Sequence, residues 1–457
     1  MTSAPLRPLS LREELRKQLA LAWPVSLASL GLMLMNAVDV AVVGRLGATS
    51  LAALAAGSLW SYAITVPFQF CLGALDPMIA QAVGAGDPRA AGRALRRGLS
   101  LAALLSLPAM ALHGLAEPGL ALLGQPAAAL APAATFCRAV ALSLPATLAF
   151  AVLRSFLQAH GVVRPAAIVI VAANALNLAL NLALVYGFGP VPALGVLGSG
   201  VATAICRYAL VLGLAALTAP LLRAAWREGV EDAPIRPIFR LLWLGAPTGL
   251  QVGLEVWAFQ SVAIMMGWLG ERALAANSVL LSLSSLSFMM PLGVSAAISA
   301  RVGNLIGAGA PWGRAAWTAV GIGASTMLGS AALYVAAPEA LLAIYTDDAS
   351  VLSLALTVMP VVAAFQVFDG VQIVSVGALR GAGDLRFPVL LTVFGYWLFG
   401  LPLAWHLGFR LELGAVGVWA GLAIGLGTMS GLLVLRLRHT VSRGGFRVSV
   451  EQGAPPV

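Results

Sequence analysis

The sequence predicts an all-α membrane protein: twelve transmembrane helices in two pseudo-twofold-related six-helix bundles. Three observations carry that expectation. Of the 457 residues, 60% are hydrophobic and only 10% are charged, against about 25% charged in a soluble globular chain. Apolar runs of the roughly 20 residues that cross a bilayer nearly fill the chain. The second half repeats the first at an offset of 223 residues.

The runs and their breakers place the spans at 16–44, 52–83, 97–118, 132–159, 164–187, 193–221, 238–267, 273–306, 315–344, 350–380, 386–409 and 413–436. Several exceed the minimum length, which implies tilt or extension beyond the lipid. Ahead of the first span, Ser10-Leu11-Arg12-Glu13 forms a capping box. It is expected to open a short helix on the cytoplasmic surface. The first apolar run is too long for a signal peptide, and no small-residue cleavage site ends a short core. The longest polar segment, RAAWREGVEDAPIRPIFR at 223–240, reads as a cytoplasmic linker. It separates an N-terminal lobe, 1–222, from a C-terminal lobe, 241–457, that ends in a basic cytoplasmic tail.

The repeat is read from matched residues. Pro24 pairs with Pro247, Gly44 and Gly47 with Gly267 and Gly270, and Leu51-Ala52-Ala53 with Leu274-Ala275-Ala276. Gly84-Ala85-Gly86 pairs with Gly307-Ala308-Gly309, Pro88 with Pro311, and Pro165 with Pro388. Each half holds an even number of spans, so both halves start on the same side. The repeats are then parallel, about an axis along the membrane normal, an arrangement found in transporters.

Basic residues orient the spans. They crowd the N-terminus (Arg7, Arg12, Arg16, Lys17), the loop with Arg89, Arg93, Arg96 and Arg97, the linker, and the tail with Arg436, Arg438, Arg443 and Arg447. The opposite loops hold only Arg45, Arg272 and Arg410, with Arg138 near a helix end. Both termini are therefore expected in the cytoplasm. The net charge of +9 forms no nucleic-acid stripe. Cys71, Cys137 and Cys206 lie in or beside apolar runs without disulfide or metal spacing, and the four histidines are scattered.

Of the 18 acidic residues, four lie inside spans: Asp39, Asp76, Glu255 and Asp369. A carboxylate at mid-bilayer costs about 2.5–3.5 kcal/mol on insertion scales, and such residues mark functional sites. Arg207 reads as the one basic residue clearly inside a span. A cavity acid without a fixed basic partner either takes a proton, because desolvation disfavours charge, or holds sodium or an organic ammonium. In AANALNLALN, Asn177 and Asn181 stand one turn apart on one face. With Asp39 they can supply oxygens to a cation or bond a carboxylic acid; the alternative is interhelical bonding alone. In GLEVWAFQ, Glu255 has Trp257, Phe259 and Gln260 nearby, a setting that suits an organic cation through charge and cation–π attraction. In AFQVFDGVQ, Gln366 and Gln372 flank Asp369 at i−3 and i+3 on one face. Asp76, immediately before Pro77, is read mainly as stabilising a disturbed helix. The matched glycines are read mainly as packing positions. No phosphate-binding GxxxxGKS loop is present, so direct ATP coupling is not supported.

These residues carry a resemblance. VDVAVVGRLGATSLAA, ALDPMIAQAVGAGD and GALRGAGDLRFP resemble the multidrug and toxic compound extrusion (MATE) family, and GLEVWAFQ followed by FMMPLGVSAAISARVGNLIGAG resembles its NorM-like branch. The similarity runs in order over nearly the whole chain. It implies two six-helix bundles that open alternately and export cationic, amphipathic small molecules in exchange for sodium or protons, with no other cofactor. It implies a multi-pass protein of a bacterial inner membrane, functional as a monomer. By motif, Asp39 becomes the N-lobe acid with Asn177 and Asn181 as neighbours, and Glu255 and Asp369 become the C-lobe pair, where sodium would sit. Two positions depart from relatives: Gln260 stands where eukaryotic-type members carry a second glutamate, and Asn181 stands where the DinF-like branch carries an aspartate.

Other functions fit less well. A flippase for lipid-linked sugars calls for a cavity rich in arginine, whereas the embedded residues here are acidic. A passive cation channel leaves the two-lobe repeat without a purpose. No Gly-x-Ser-x-Gly, His-Glu-x-x-His or paired catalytic motif is placed in a span, which disfavours an intramembrane enzyme.

Overall fold

A computed structural model of the chain describes residues 9–190, 192–230 and 235–448. Arg7, residues 231–234 of the linker and the end of the basic tail lie outside the described residues. The elements are helical throughout the spans. In the first half they are α1 (Leu11–Gly44), α2 (Ala48–Phe70), a 3-10 turn (Cys71–Ala74), α3 (Leu75–Gly84), α4 (Pro88–Gly114), α5 (Ala116–Leu122), α6 (Ala127–Ala141), α7 (Leu144–Ala159), α8 (Arg164–Tyr186), α9 (Val196–Leu217) and α10 (Ala219–Glu228). The second half has α11 (Ile235–Trp268), α12 (Glu271–Gly307), α13 (Gly313–Ala336), α14 (Pro338–Leu342), α15 (Ala349–Gly381) and α16 (Phe387–Thr392). Then follow a π-helical stretch (Val393–Gly400), α17 (Leu401–Trp405), a second π-helical stretch (His406–Arg410) and α18 (Gly414–Ser442).

Among the described residues, 11 helices are long and apolar enough to cross a membrane. The twelfth span is broken: α6 and α7 meet at 47°. The span expected over 132–159 therefore bends at Leu142-Ser143, just before Pro145. From α9 the Tyr208 hydroxyl donates to the freed Leu142 carbonyl at 2.9 Å, and Arg207 donates to the Ser143 side-chain hydroxyl at 3.1 Å. The short surface helix expected before the first span is also absent. The capping box forms, with Ser10 N donating to Glu13 at 2.7 Å and Glu13 N donating to the Ser10 hydroxyl at 3.3 Å. It opens one continuous 34-residue helix.

The sequence repeat is visible in the backbone. Gly47 and Gly270 precede α2 and α12 with φ of 108° and 113°, and Gly86 and Gly309 close the matching turns at 68° each. These left-handed angles suit glycine, which has no Cβ to clash. Asp87 and Asp348 cap α4 and α15 by accepting backbone N–H bonds. At Asp348, outside the spans, bonds from the Ser350 hydroxyl and from backbone amides hold the carboxyl below its usual range.

The described residues cluster into two compact units. One joins the residues up to Ser26 with Gln251–Val448; the other is Leu27–Leu250. The division runs through α1 and α11, two or three residues beyond the matched prolines Pro24 and Pro247.

In the first unit, the beginning of α1 is held by buried polar groups. Arg301 of α12 reaches both oxygens of Glu14, at 3.1 and 3.0 Å, and Glu14 is only 3% exposed. Gln18 donates to the Ala315 carbonyl at 2.8 Å, and the Ser26 hydroxyl donates to Met290 at 3.1 Å where Gly293 leaves room. Removing one partner of such a buried pair costs about 3–5 kcal/mol. The second unit receives the beginning of α11 by close approach at glycines. A Cβ on Gly249 would lie 2.7 Å from the Pro67 carbonyl, and one on Gly73 would lie 2.8 Å from Thr248.

Large side chains fill the core of the first unit, notably Phe365 edge-on to Trp419 with centroids 5.6 Å apart. Here α18 carries Gly417, Gly421 and Gly425, four residues apart on one face. A Cβ on Gly425 would lie 2.6 Å from the Gly395 carbonyl and 2.6 Å from Gly400 Cα, and one on Gly417 would lie 2.6 Å from the Leu407 backbone. The seam thus brings α18 against the two π-helical stretches. Elsewhere, large apolar side chains such as Trp23, Leu107, Leu122 and Leu328 face outward, as suits lipid.

Candidate ion and substrate sites

Each unit contains a buried acidic site. In the second unit, α1 presents Asp39, only 3% exposed. The side-chain amides of Asn177 and Asn181, one turn apart on α8, donate to Asp39 Oδ1 at 3.2 and 2.8 Å. Thr203 of α9 donates to Oδ2 at 2.9 Å. Three donors from two helices therefore hold one carboxylate, which meets the requirement that a buried charge be hydrogen-bonded. Helix α8 also grips α1 above and below the site. Asn174 donates to the Gly31 carbonyl at 2.9 Å, and the Tyr186 hydroxyl donates to the Val42 carbonyl at 2.6 Å.

The amide oxygens of Asn177 and Asn181 accept no hydrogen bond among the described residues. A carboxylate, two amide carbonyls and a hydroxyl are the ligand types of a hard cation. The same donors can equally cradle a carboxyl that takes up a proton. Arg207, one turn beyond Thr203, stands within electrostatic reach of Asp39.

In the first unit, Glu255 of α11 is half-buried and Asp369 of α15 is 5% exposed. The two carboxylates are within electrostatic reach of each other. The Tyr396 hydroxyl donates to Glu255 Oε1 at 3.4 Å. One residue on, the Trp397 indole donates to the Leu254 carbonyl at 3.1 Å. Gln372 approaches Glu255 closely enough to interact without a full hydrogen bond. Gln366 turns to Tyr334 and donates to its hydroxyl at 3.2 Å.

The remaining sequence-read residues fall as follows. Trp257 is 42% exposed, because a residue at i+2 points away from the face that carries Glu255. Phe259, at i+4, does share that face, with its ring 6.1 Å from Tyr396 and 6.0 Å from Phe365. Gln260 is half-buried. Asp76 opens α3 just after the 3-10 turn and accepts a hydrogen bond from Ser155 of α7 at 2.5 Å. The neighbouring Arg154 lies within electrostatic reach of it. Arg207 is therefore not the one basic residue inside a span: Arg154 lies within α7, and its charge meets that of Asp76.

Thr203 and Tyr396 of these networks escaped the sequence reading, as did Glu14 at the start of α1. Thr203 stands alone in VATAICRYAL, where a hydroxyl ordinarily bonds its own helix. Neither Tyr396 nor Glu14 has a local sequence pattern that points to its partner.

The family model MatE matches twice, at residues 24–183 and 247–406, and the two stretches begin 223 residues apart, the offset of the repeat. A probable multidrug resistance protein NorM from Bradyrhizobium diazoefficiens is 36% identical over 455 residues, covering 95% of each chain. The multidrug resistance protein PmpM from Pseudomonas aeruginosa is 34% identical over 466 residues, covering 96% of this chain and 95% of that one. Among solved structures, the eukaryotic MATE transporter AtDTX14 superposes with a TM-score of 0.85 at 23% identity, over 95% of this chain and 99% of the other. An outward-facing multidrug resistance MATE transporter of the MOP superfamily gives 0.82 at 20% identity, over 94% and 96%. The chain belongs to the MatE family of multidrug and toxic compound extrusion transporters, in its NorM-like branch.

Proposed function

We propose that this multi-pass membrane protein is a secondary antiporter. It exports cationic, amphipathic small molecules by alternating access, in exchange for sodium or protons. The observation that supports this most is the presence of a separate buried acidic site in each unit. Asp39 stands with Asn177, Asn181 and Thr203 in one, and Glu255 and Asp369 stand with Tyr396 in the other. Antiport needs charge compensation that changes during the cycle. Acids held by neutral donors can exchange a proton, sodium or an organic cation, whereas an acid locked to an arginine cannot.

The Asp39 site has the oxygen ligands to bind a coupling ion. The Glu255–Asp369 site adds aromatic surface from Phe259 and Tyr396 beside its carboxylates, which favours an organic cation or sodium there. Names of relatives agree with drug export: both NorM and PmpM are described as multidrug resistance proteins. The test is uptake of ethidium by the purified chain in proteoliposomes without ATP. Accumulation against its gradient under an imposed ion gradient supports the proposal, and no accumulation under any gradient overturns it.

We place the chain in a bacterial inner membrane with both termini in the cytoplasm, working as a monomer. The arginine asymmetry supports this orientation. In a cysteine-free background, a membrane-impermeant maleimide added to intact cells should label Asp347→Cys and spare Arg89→Cys. Labelling at position 89 in sealed cells would reverse the topology.

A further inference from the structure

The two units hold their acids from corresponding helices. In the second unit, the acid on α1 is gripped by α8, the fifth span of its half. In the first, the acid on α11 is gripped by the π-helical stretch Val393–Gly400, which belongs to the fifth span of the second half. The acids themselves are not at matched positions, since Asp39 and Glu255 are 216 residues apart rather than 223. The shared feature is the pairing of helices. Where α8 is a regular helix and uses side-chain amides, the second half uses a tyrosine on a widened turn.

That widened turn has a physical origin. Pro402 has no N–H to return to Leu398. Ahead of it, the Leu401 N–H reaches back five residues to the Tyr396 carbonyl. Gly395 and Gly400 let α18 press directly on this backbone through Gly425. A π turn holds about one more residue than an α turn, so consecutive side chains diverge less. Tyr396 and Trp397 can therefore both address α11, one bonding the Glu255 carboxylate and the other the Leu254 carbonyl. Tyr396 is fully buried, and its ring is backed by Phe259.

We propose that Tyr396 is the positioning residue of the Glu255 site. Its hydroxyl, fixed by the π-helical turn, donates to the charged carboxylate and sets how readily that carboxylate gives way to the coupling ion. The inference rests on the reading of Glu255 as an exchange site. Other groups face Glu255 too. Asp369 and Arg380, both on α15, are within electrostatic reach of the Glu255–Tyr396 pair, and Gln372 approaches from the same helix. Their effects on Glu255 persist when the tyrosine hydroxyl is removed, so a single-atom change isolates its part.

The experiment is equilibrium binding of ethidium to the purified full-length chain across a pH series. Protons and ethidium compete for the acids, so binding has a pH midpoint. Tyr396→Phe removes a donor to the charged form, and the midpoint should move to higher pH by about fivefold in proton concentration. The binding plateau should hold. Trp397→Phe breaks the neighbouring hydrogen bond without touching the carboxylate and should leave the midpoint in place. An unchanged midpoint in a folded Tyr396→Phe overturns the role of Tyr396.

Should that variant not fold, the tyrosine ultraviolet difference spectrum of the native chain decides. A tyrosine signal that follows the binding midpoint and disappears in Glu255→Gln supports the proposal, and no such signal overturns it. If Glu255→Gln keeps the native midpoint, Glu255 is not the titrating acid and the exchange-site reading itself fails. If Glu255→Gln abolishes the midpoint while Tyr396→Phe preserves it, only the inference about Tyr396 fails.

Discussion

Glu255→Gln is expected to reduce gradient-driven export of an ethidium-like cation by two to three orders of magnitude, on the basis of about 4 kcal/mol for opposite charges some 4 Å apart at an effective dielectric of 20 and tenfold per about 1.4 kcal/mol. Asp369→Asn is expected to do the same. Each substitution keeps the size and hydrogen-bonding shape of the side chain and removes its charge. Glutamine retains an oxygen to accept from the Tyr396 hydroxyl, so the packing of α11 against the π-helical stretch should survive. The variants should insert, purify and melt like the native protein. Transport and thermal unfolding measured on the same preparations separate a lost charge from a lost fold. Export at the native rate by both variants would remove these acids from the mechanism.

Asp39→Asn should act differently. Its site is occupied by donors from Asn177, Asn181 and Thr203. On the proposed reading it carries the coupling ion rather than the drug. The substitution should stop or uncouple turnover while equilibrium binding of a fluorescent cation weakens only a few-fold. One carboxylate oxygen becomes an NH2, which either reorients Thr203 or opposes an asparagine amide, so a stability loss of about 1–3 kcal/mol accompanies it. Binding and transport are to be measured side by side. Normal gradient-driven transport would make Asp39 a buried structural acid.

How much of this was legible in the sequence depended on the range of the interaction. The Asp39 cluster was legible because two asparagines four residues apart must share a helix face, and an unpaired acid in an apolar run demands a partner. Thr203 was not, because a lone hydroxyl in a helix carries no periodic signal and its role depends on where α9 packs. The Glu255 surroundings were half legible. Proximity in sequence suggested both Trp257 and Phe259; helix geometry keeps Phe259, at i+4, on the face of Glu255 and turns Trp257 outward. Tyr396 depends on a π-helical turn created by Pro402 and a glycine seam on another helix, a combination no local pattern announces. The repeat itself was fully legible as matched prolines and glycines, and the family match at the same offset agrees with it. The passage of the unit boundary through α1 and α11 was not, since a continuous helix gives no sequence signal for which core its two ends join. Glu14 shows the same limit: its partner Arg301 is 287 residues away.

The central claim is that the acids couple an ion to export, and the most direct measurement imposes sodium and proton gradients separately on one batch of proteoliposomes holding the purified chain and ethidium. The account predicts that at least one gradient, imposed alone, drives ethidium uphill, that an ionophore collapsing that gradient stops it, and that Glu255→Gln and Asp39→Asn abolish the uphill component. Ethidium that moves only downhill, at one rate whichever gradient is imposed, would contradict the account and leave a passive pathway in its place.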